Sequence, residues 1–227
     1  MKKYDNSSIS ALKGADRVRK RPAVIFGSDG VEGCEHSMFE ILSNSIDEAR
    51  EGFGSTITVT RYADMSIEVE DFGRGIPVDY NEKEKRYNWE LVFCELYAGG
   101  KYNNNDGGDY EYSLGLNGLG ACATQYSSEY MDVEILRDGF KFNLHFEHGK
   151  NVGGLGKTEF RHRHTGTKIH WKPDLKVFTS IDIPVENYHS VLKRQAVVNS
   201  GVKFIFKNEV SKGQFEETEY FYENGIV

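Results

Sequence analysis

No stretch of the sequence approaches the apolar length of a membrane span. Its start, Met1-Lys2-Lys3-Tyr4-Asp5-Asn6, lacks the apolar core of a secretory signal. Cysteine is scarce. Cys34, Cys94 and Cys122 are odd in number and widely spaced, and they match neither a disulfide framework nor a zinc pattern. These absences predict a cytoplasmic protein with no membrane partner. A basic surplus is also missing: 28 Lys and Arg against 35 Asp and Glu leave a net charge of -7. That argues against the chain gripping DNA by itself and leaves DNA contact to regions outside it. What remains is globular composition, 38% hydrophobic and 28% charged, over 227 residues, enough for one large domain or two small ones.

The chain is organised around Val69-Glu70-Asp71-Phe72-Gly73-Arg74-Gly75-Ile76-Pro77. An alternating strand, Ser66 to Glu70, runs into it. Strand side chains alternate between faces, so Asp71 shares the apolar face of Ile67 and Val69. A carboxylate aimed inward is expensive unless hydrogen-bonded. Gly73 and Gly75 permit a tight turn and close approach by another molecule. Alone, the stretch reads equally well as an Asp-capped turn.

The second anchor is a helix predicted over Glu35–Glu51. At ~100° per residue, Met38, Ile41, Leu42, Ser45, Ile46 and Ala49 form one side, and Glu40, Asn44, Asp47, Glu48 and Glu51 the other. The commonest meaning of such a pattern is a solvated acidic face. Asn44 fits that poorly, because an exposed helix position favours Lys, Gln or Glu. Glu40 and Asn44 lie one turn apart and can meet one ligand. An amide oxygen can ligate Mg²⁺ on a polyphosphate, and the carboxylate can polarise a water.

Elsewhere the pattern predicts a polar tail over residues 1–9, a short basic helix from Ser10 to Lys20 stopped by Pro22, and a loop through Gly27, Gly30 and Gly33. Thr56–Thr60 is a strand and pairs with the Asp71 strand as a hairpin. Trp89–Leu96 is a helix with Leu91, Val92 and Leu96 inward. Gly99 to Asp109 is polar and glycine-rich. It leads to Gly115, Gly118 and Gly120 ahead of a helical run to about Ser127. Glycines before a helix N-terminus suit an anion, and a hinge reads as well; together with the polar segment they suggest a lid. Tyr130–Leu136 and Phe140–Glu147 form a hairpin around Arg137-Asp138-Gly139. Thr158–His162 and Thr167–Lys172 are expected to pair around His164-Thr165-Gly166, with the Thr167 hydroxyl inward. A helix over Pro184–Asn199 and a hairpin of Val202–Lys207 with Glu217–Tyr222 follow.

Two patterns are set aside. Gly153-Gly154-Leu155-Gly156-Lys157-Thr158 has Asn151 where a P-loop needs glycine, and a strand follows it rather than a helix. His162, His164 and His170 lack partners at metal-ligand spacing.

Three stretches together resemble the ordered ATP-binding motifs of the GHKL superfamily: Glu40–Ala49, Asp71–Pro77 and Gly115–Ala121. Tyr97-Ala98-Gly99-Gly100-Lys101-Tyr102 and Arg19-Lys20-Arg21-Pro22 narrow the likeness to the N-terminal ATPase domain of bacterial type II topoisomerase B subunits, those of DNA gyrase or of topoisomerase IV. The resemblance runs from Tyr4 to the end.

It implies an α+β fold of the GHKL (Bergerat) type: a two-layer α/β sandwich, a mixed and mainly antiparallel sheet with helices on one face. Residues 1–22 would be an arm and short helix, and 23–227 the ATPase domain, without the transducer domain. The implied cofactors are ATP and Mg²⁺. Glu40 corresponds to the general base, and Asn44 to the Mg²⁺ ligand; Glu48 lies on the same helix face. Asp71 corresponds to the acceptor for the adenine amino group. Gly75 and Thr167 match residues that bind adenine with a water. Ile76 and Pro77 match pocket walls, with Arg74 stacked at the mouth. Lys101 and Tyr110 lie where the lid meets nucleotide, and Leu114, Gly115, Leu116, Asn117, Gly118, Leu119 and Gly120 form its phosphate-cradling loop. Tyr4 and Ile9 match an arm that crosses to a second B subunit on ATP binding. Arg137 matches the arginine used by aminocoumarin inhibitors. Further implied partners are the gyrase A subunit, or the topoisomerase IV A subunit, in a heterotetramer, with DNA held outside this chain.

Leu114 replaces a family glycine and Asn117 a family histidine. A chaperone or mismatch-repair ATPase of the same superfamily is not expected to carry the Arg-Lys-Arg-Pro and Ala-Gly-Gly-Lys stretches. A non-catalytic nucleotide sensor has no need of Glu40.

Overall fold

In a computed structural model of the chain, the structure describes residues 12–96, 120–161 and 163–224. The expectations for the arm with Tyr4 and Ile9, for Lys101, Tyr110 and Leu114–Leu119, and for His162 lie outside the described residues.

Two short helices come first, α1 (Asp16–Arg19) and α2 (Pro22–Phe26). Pro22 does not merely stop a basic helix, as the sequence suggested; it occupies the first turn of α2, where the missing N–H breaks no bond. The basic helix itself is only α1 among the described residues. Val18 is fully buried, and Arg19 reaches Asp174 at 2.5 Å and the carbonyls of Tyr126 and Ser128. The Arg-Lys-Arg-Pro stretch thus ties the start of the chain to the far end of the sheet.

The long helix α3 runs from Val31 to Arg50, so Gly33 lies within it rather than in a loop. Its apolar stripe sits where the wheel placed it: Met38, Ile41, Leu42 and Ile46 are buried against sheet residues Ile57, Val59, Ile67, Val69 and Trp171. The strands beneath it are β1 (Thr56–Arg61) and β2 (Ile67–Asp71), an antiparallel pair in which Ile57 opposes Asp71 and Val59 opposes Val69. A small hairpin, β3 (Tyr80–Asn81) with β4 (Arg86–Tyr87), precedes α4 (Asn88–Cys94). The residue that α4 buries is Phe93, at 0% exposure, while Leu91, Val92 and Leu96 are only half-buried. Two turns of helix have room for one central anchor, and Phe93 takes it, with Trp89 half-buried beside it.

After α5 (Gly120–Tyr126) come β5 (Ser128–Arg137) and β6 (Phe140–Glu147). Asp138 and Gly139 both have positive φ, 54° and 78°, the two-residue hairpin turn the sequence suggested. β7 (Lys150–Asn151) and β8 (Gly156–Glu159) both pair with β6. The strand expected over Thr158–His162 starts earlier, within the Gly-Gly-Leu-Gly stretch, and ends at Glu159. Its expected hairpin with 167–172 does not form: β9 (Gly166–Pro173) pairs with β2 and β5 instead. Alternation reports which face a residue takes, not which strand lies beside it. Helix α6 (Val185–Val198) and the hairpin β10 (Lys203–Ser211) with β11 (Gln214–Tyr220) complete the chain, and β10 lies parallel to β1.

Among the described residues the sheet order is β11-β10-β1-β2-β9-β5-β6-β7, with β8 also on β6, giving nine strands, all antiparallel neighbours except β1 and β10. Helices cover one face. The other carries paired polar groups such as Glu134 with Lys141 and Lys168, at 2.8 and 3.4 Å. This is the mixed, mostly antiparallel α+β layering expected. Among the described residues no helix is long and apolar enough to cross a membrane.

Candidate functional site

Strand β2 delivers Asp71 to the helix-covered face, 8% exposed. Its carboxylate is held by three donors: the Ser45 hydroxyl at 2.6 Å, and the N–H groups of Gly73 at 3.0 Å and Thr167 at 3.3 Å. Burial pushes the carboxyl above its ordinary range, against the pull of these donors. Two carboxylate oxygens offer about four acceptor sites, so the protein leaves one for another molecule.

The turn after Asp71 is pressed against the sheet. Gly75 has φ +82°, and a Cβ there would stand 3.0 Å from both the Ile135 side chain and the Leu136 carbonyl. Gly166, across β9, is tighter still: a Cβ would stand 2.2 Å from the Asp71 carbonyl. The Thr167 hydroxyl does face inward and accepts from the Ile76 N–H at 3.2 Å. Arg137 donates to the Gly75 carbonyl at 2.8 Å. Asp71, Gly75, Ile76, Thr167 and Arg137 thus form one cluster, with Pro77 exposed at its edge. The Thr165 hydroxyl, unnoticed in the sequence, donates to the Gly73 carbonyl at 2.5 Å and fixes the same turn.

Glu48 accepts from the Arg74 backbone N–H at 3.0 Å and from its guanidinium at 3.0 and 2.7 Å. The helix and the turn are thereby joined, and Arg74 stands at the rim.

One and two turns back on α3 lie Asn44 and Glu40. The acidic side of the helix is not solvated there: Glu40 is 7% exposed, Asp47 is buried and Asn44 is half-buried. His36, one further turn back, places Nε2 at 3.3 Å from Glu40, and its Nδ1 faces the Phe26 carbonyl at 3.2 Å. Burial raises the Glu40 carboxyl from its ordinary range, against the lowering effect of His36 and of the Gly120 N–H. Gly120, at the start of α5, is the one residue of the expected phosphate loop among those described, and this bond brings it to Glu40.

Among the described residues, the Asn44 side chain has no hydrogen-bond partner, and no three His, Cys, Asp or Glu groups converge to hold a metal. That donor set fits a cation of the Mg²⁺ kind, which keeps several waters and takes most of its ligands from phosphates.

Ser45 and His36 escaped the sequence reading. Ser45 sat on the apolar side of the wheel, where its hydroxyl carried no signal. His36 stood four residues before Glu40, a spacing that pairs side chains on a helix.

No family model matches the chain. It is 36% identical over 230 residues to the B subunit of DNA gyrase from Thermotoga maritima, 38% over 228 to that of Mycoplasma pneumoniae and 40% over 233 to that of Streptococcus pyogenes. The alignments take in 99 to 100% of this chain, which spans about a third of those relatives, 34 to 35% of their length. In fold, the 43K ATPase domain of Thermus thermophilus gyrase B, in complex with an aminocoumarin, superposes with a TM-score of 0.79 and 31% identity, over 94% of this chain and 53% of that one. The topoisomerase IV ATP-binding domain of Francisella tularensis, in complex with a small-molecule inhibitor, gives 0.78 and 31% over 95% and 56%. The chain belongs, as an ATPase domain, to the family formed by the B subunits of DNA gyrase and topoisomerase IV.

Proposed function

We propose that the chain binds and hydrolyses ATP, and that in the full-length protein this drives a type II DNA topoisomerase by nucleotide-dependent dimer closure. Gyrase is the leading assignment and topoisomerase IV the alternative. The observation that carries the nucleotide reading is Asp71: a buried carboxylate at the end of a core strand, held by three donors with acceptor capacity left over. The amino group of adenine is the complementary donor, with Thr167, Gly75, Ile76 and Pro77 around the ring.

Glu40 is the general base. It accepts a proton from the attacking water, and His36 beside it favours the ionised carboxylate that must do so, against the effect of burial. Asn44 holds Mg²⁺, which when bound neutralises phosphate charge. Tyr4, Lys101, Tyr110 and Leu114–Gly120 are assigned to the nucleotide by family resemblance alone. The same holds for a second B subunit, for the A subunit, for DNA outside this chain, for aminocoumarin binding at Arg137 and for a cytoplasmic setting.

Calorimetric titration with a non-hydrolysable ATP analogue, with and without Mg²⁺, tests the reading. Binding that strengthens with Mg²⁺ is expected, and Asn44→Ala should remove that dependence. No binding in either condition would reject the assignment.

A further inference from the structure

Helix α5 is tied to its neighbours by side chains that donate to backbone carbonyls. Gln125 and Tyr126 reach α4, at the carbonyls of Phe93 and Cys94, 2.9 and 2.6 Å away. Thr124 reaches α3: its hydroxyl donates to the Ser37 carbonyl at 2.7 Å, and both residues are buried. A threonine in a helix ordinarily returns its hydroxyl to a carbonyl three or four residues back in the same chain. Ser37, Ser43, Ser127 and Ser128 do this, on the carbonyls of Cys34, Glu40 and, for the last two, Thr124. The Thr124 hydroxyl instead crosses between helices.

One turn away from that crossing lies the candidate base. Gly120 stands four residues before Thr124 on α5, and its N–H bonds the Glu40 carboxylate. Glu40 stands three residues after Ser37 on α3. The two contacts are successive rungs between the helices, ~6 Å apart along α5 and ~4.5 Å along α3 at 1.5 Å per residue. Sliding or rolling α5 at one rung displaces the other. The Ser37 carbonyl lies inside α3, where the helix ladder already supplies it with a donor. The Thr124 bond is therefore not needed to satisfy that carbonyl; what it adds is the register of α5 on α3.

We propose that Thr124 is a positioning residue for the general base: through α5 it holds the Gly120 N–H on Glu40, and so fixes how the carboxylate faces the attacking water. The proposal rests on the reading of Glu40 as that base. Thr124 is itself 0% exposed, so it acts through Glu40 and not on the nucleotide.

The test compares Thr124→Val and Thr124→Ser in the full-length protein by three measurements: ATP hydrolysis at saturating nucleotide, calorimetric binding of a non-hydrolysable ATP analogue, and thermal melting. Valine keeps the shape and loses the hydroxyl; serine keeps the hydroxyl and loses a methyl group. Thr124→Val should hydrolyse about 10-fold more slowly, within the ~10²-fold reach of a misplaced group, while affinity for the analogue changes less than about 2-fold. Thr124→Ser should hydrolyse within about 2-fold of the wild type although it melts lower, because the missing methyl group leaves a gap in the packing. A role confined to packing gives the reverse order of rates. Wild-type hydrolysis by Thr124→Val overturns the proposal. So does a Thr124→Ser variant as slow as Thr124→Val, or a parallel loss of affinity and rate. If Thr124→Val does not fold, Thr124→Ala set against Thr124→Ser isolates the hydroxyl with the same outcomes. Glu40→Gln separates the two levels. If it abolishes hydrolysis while Thr124→Val leaves it intact, only the positioning role is wrong. If Glu40→Gln hydrolyses normally, the base lies elsewhere and the positioning role falls with it.

Discussion

The Ser45 hydroxyl meets the Asp71 carboxylate at 2.6 Å, joining the apolar side of α3 to the end of β2. This contact lets a charge sit in the core and fixes how it faces a ligand. Asp71→Asn can keep the arrangement, with its amide donating to Ser45 and its oxygen accepting from Gly73 and Thr167. Because burial raises the folded pKa of Asp71, the folded state holds the proton more tightly than the unfolded one. That contribution is full below the ordinary carboxylate range and is lost as pH rises through the raised value. At pH 7 the charge therefore opposes folding. We expect Asp71→Asn to melt no lower than the wild type at pH 7, with any advantage shrinking toward pH 4. Nucleotide affinity should fall about 10- to 100-fold, the worth of one hydrogen bond to a charged group, ~1.5–3 kcal/mol. Calorimetry and thermal melts check the two halves separately.

Glu40→Gln should leave nucleotide affinity near the wild-type value and reduce hydrolysis about 10²- to 10⁴-fold. The wild-type rate should rise with pH and level off, because the base must be ionised. Its midpoint should lie above an ordinary glutamate, since burial raises Glu40. A rate that is flat across this range, or a variant that hydrolyses normally, would move the base elsewhere.

Asp174→Asn tests the anchoring of the chain start. Burial raises the Asp174 carboxyl, but the bonds from Arg19, the Lys176 N–H and His148 outweigh it and hold the group below its usual range. Its stabilisation is therefore present above the ordinary carboxylate pKa and disappears as pH falls through the lowered value. The variant should lose about 1.5–3 kcal/mol at pH 7, since it removes the charged partner of a half-buried Arg19 that keeps only the Tyr126 and Ser128 carbonyls, and the difference should narrow below pH 4. Denaturant unfolding at several pH values measures this.

Gly166→Ala should destabilise by about 1–3 kcal/mol through overpacking, because its Cβ meets the Asp71 carbonyl. As that strain moves the strand bearing Asp71, nucleotide affinity should drop along with the melting temperature. A variant with normal stability and binding would show that the strands part without effect.

Much of the site was legible because it lies on regular elements. Strand alternation alone placed Asp71 and Thr167 inward, and helix geometry put Glu40 and Asn44 on one side. The wheel failed at Ser45, since hydropathy does not register a hydroxyl aimed at a carboxylate. It also suggested a wet face for Glu40 and Asp47, which the fold covers. Partners distant in the chain had no local signature at all. Nothing near Gly156 announces that it pairs with β6, and nothing near Thr124 announces Ser37. Phe93 was overshadowed by its aliphatic neighbours, because a two-turn helix shows too little periodicity to rank them.

The parallel join of β1 and β10 sets Thr56 beside Lys203. During synthesis, β1 emerges early and acquires β2 on one side within a few residues. Its other edge stays open until β10 (Lys203–Ser211) has left the ribosome. Pairing across so much intervening chain is entropically slow. The nascent domain therefore passes through a long interval in which an apolar strand is bare along one side. In that interval it is exposed to aggregation and to chaperone capture, and its folding rate should respond more to changes in β10 than to changes in the nucleotide turn.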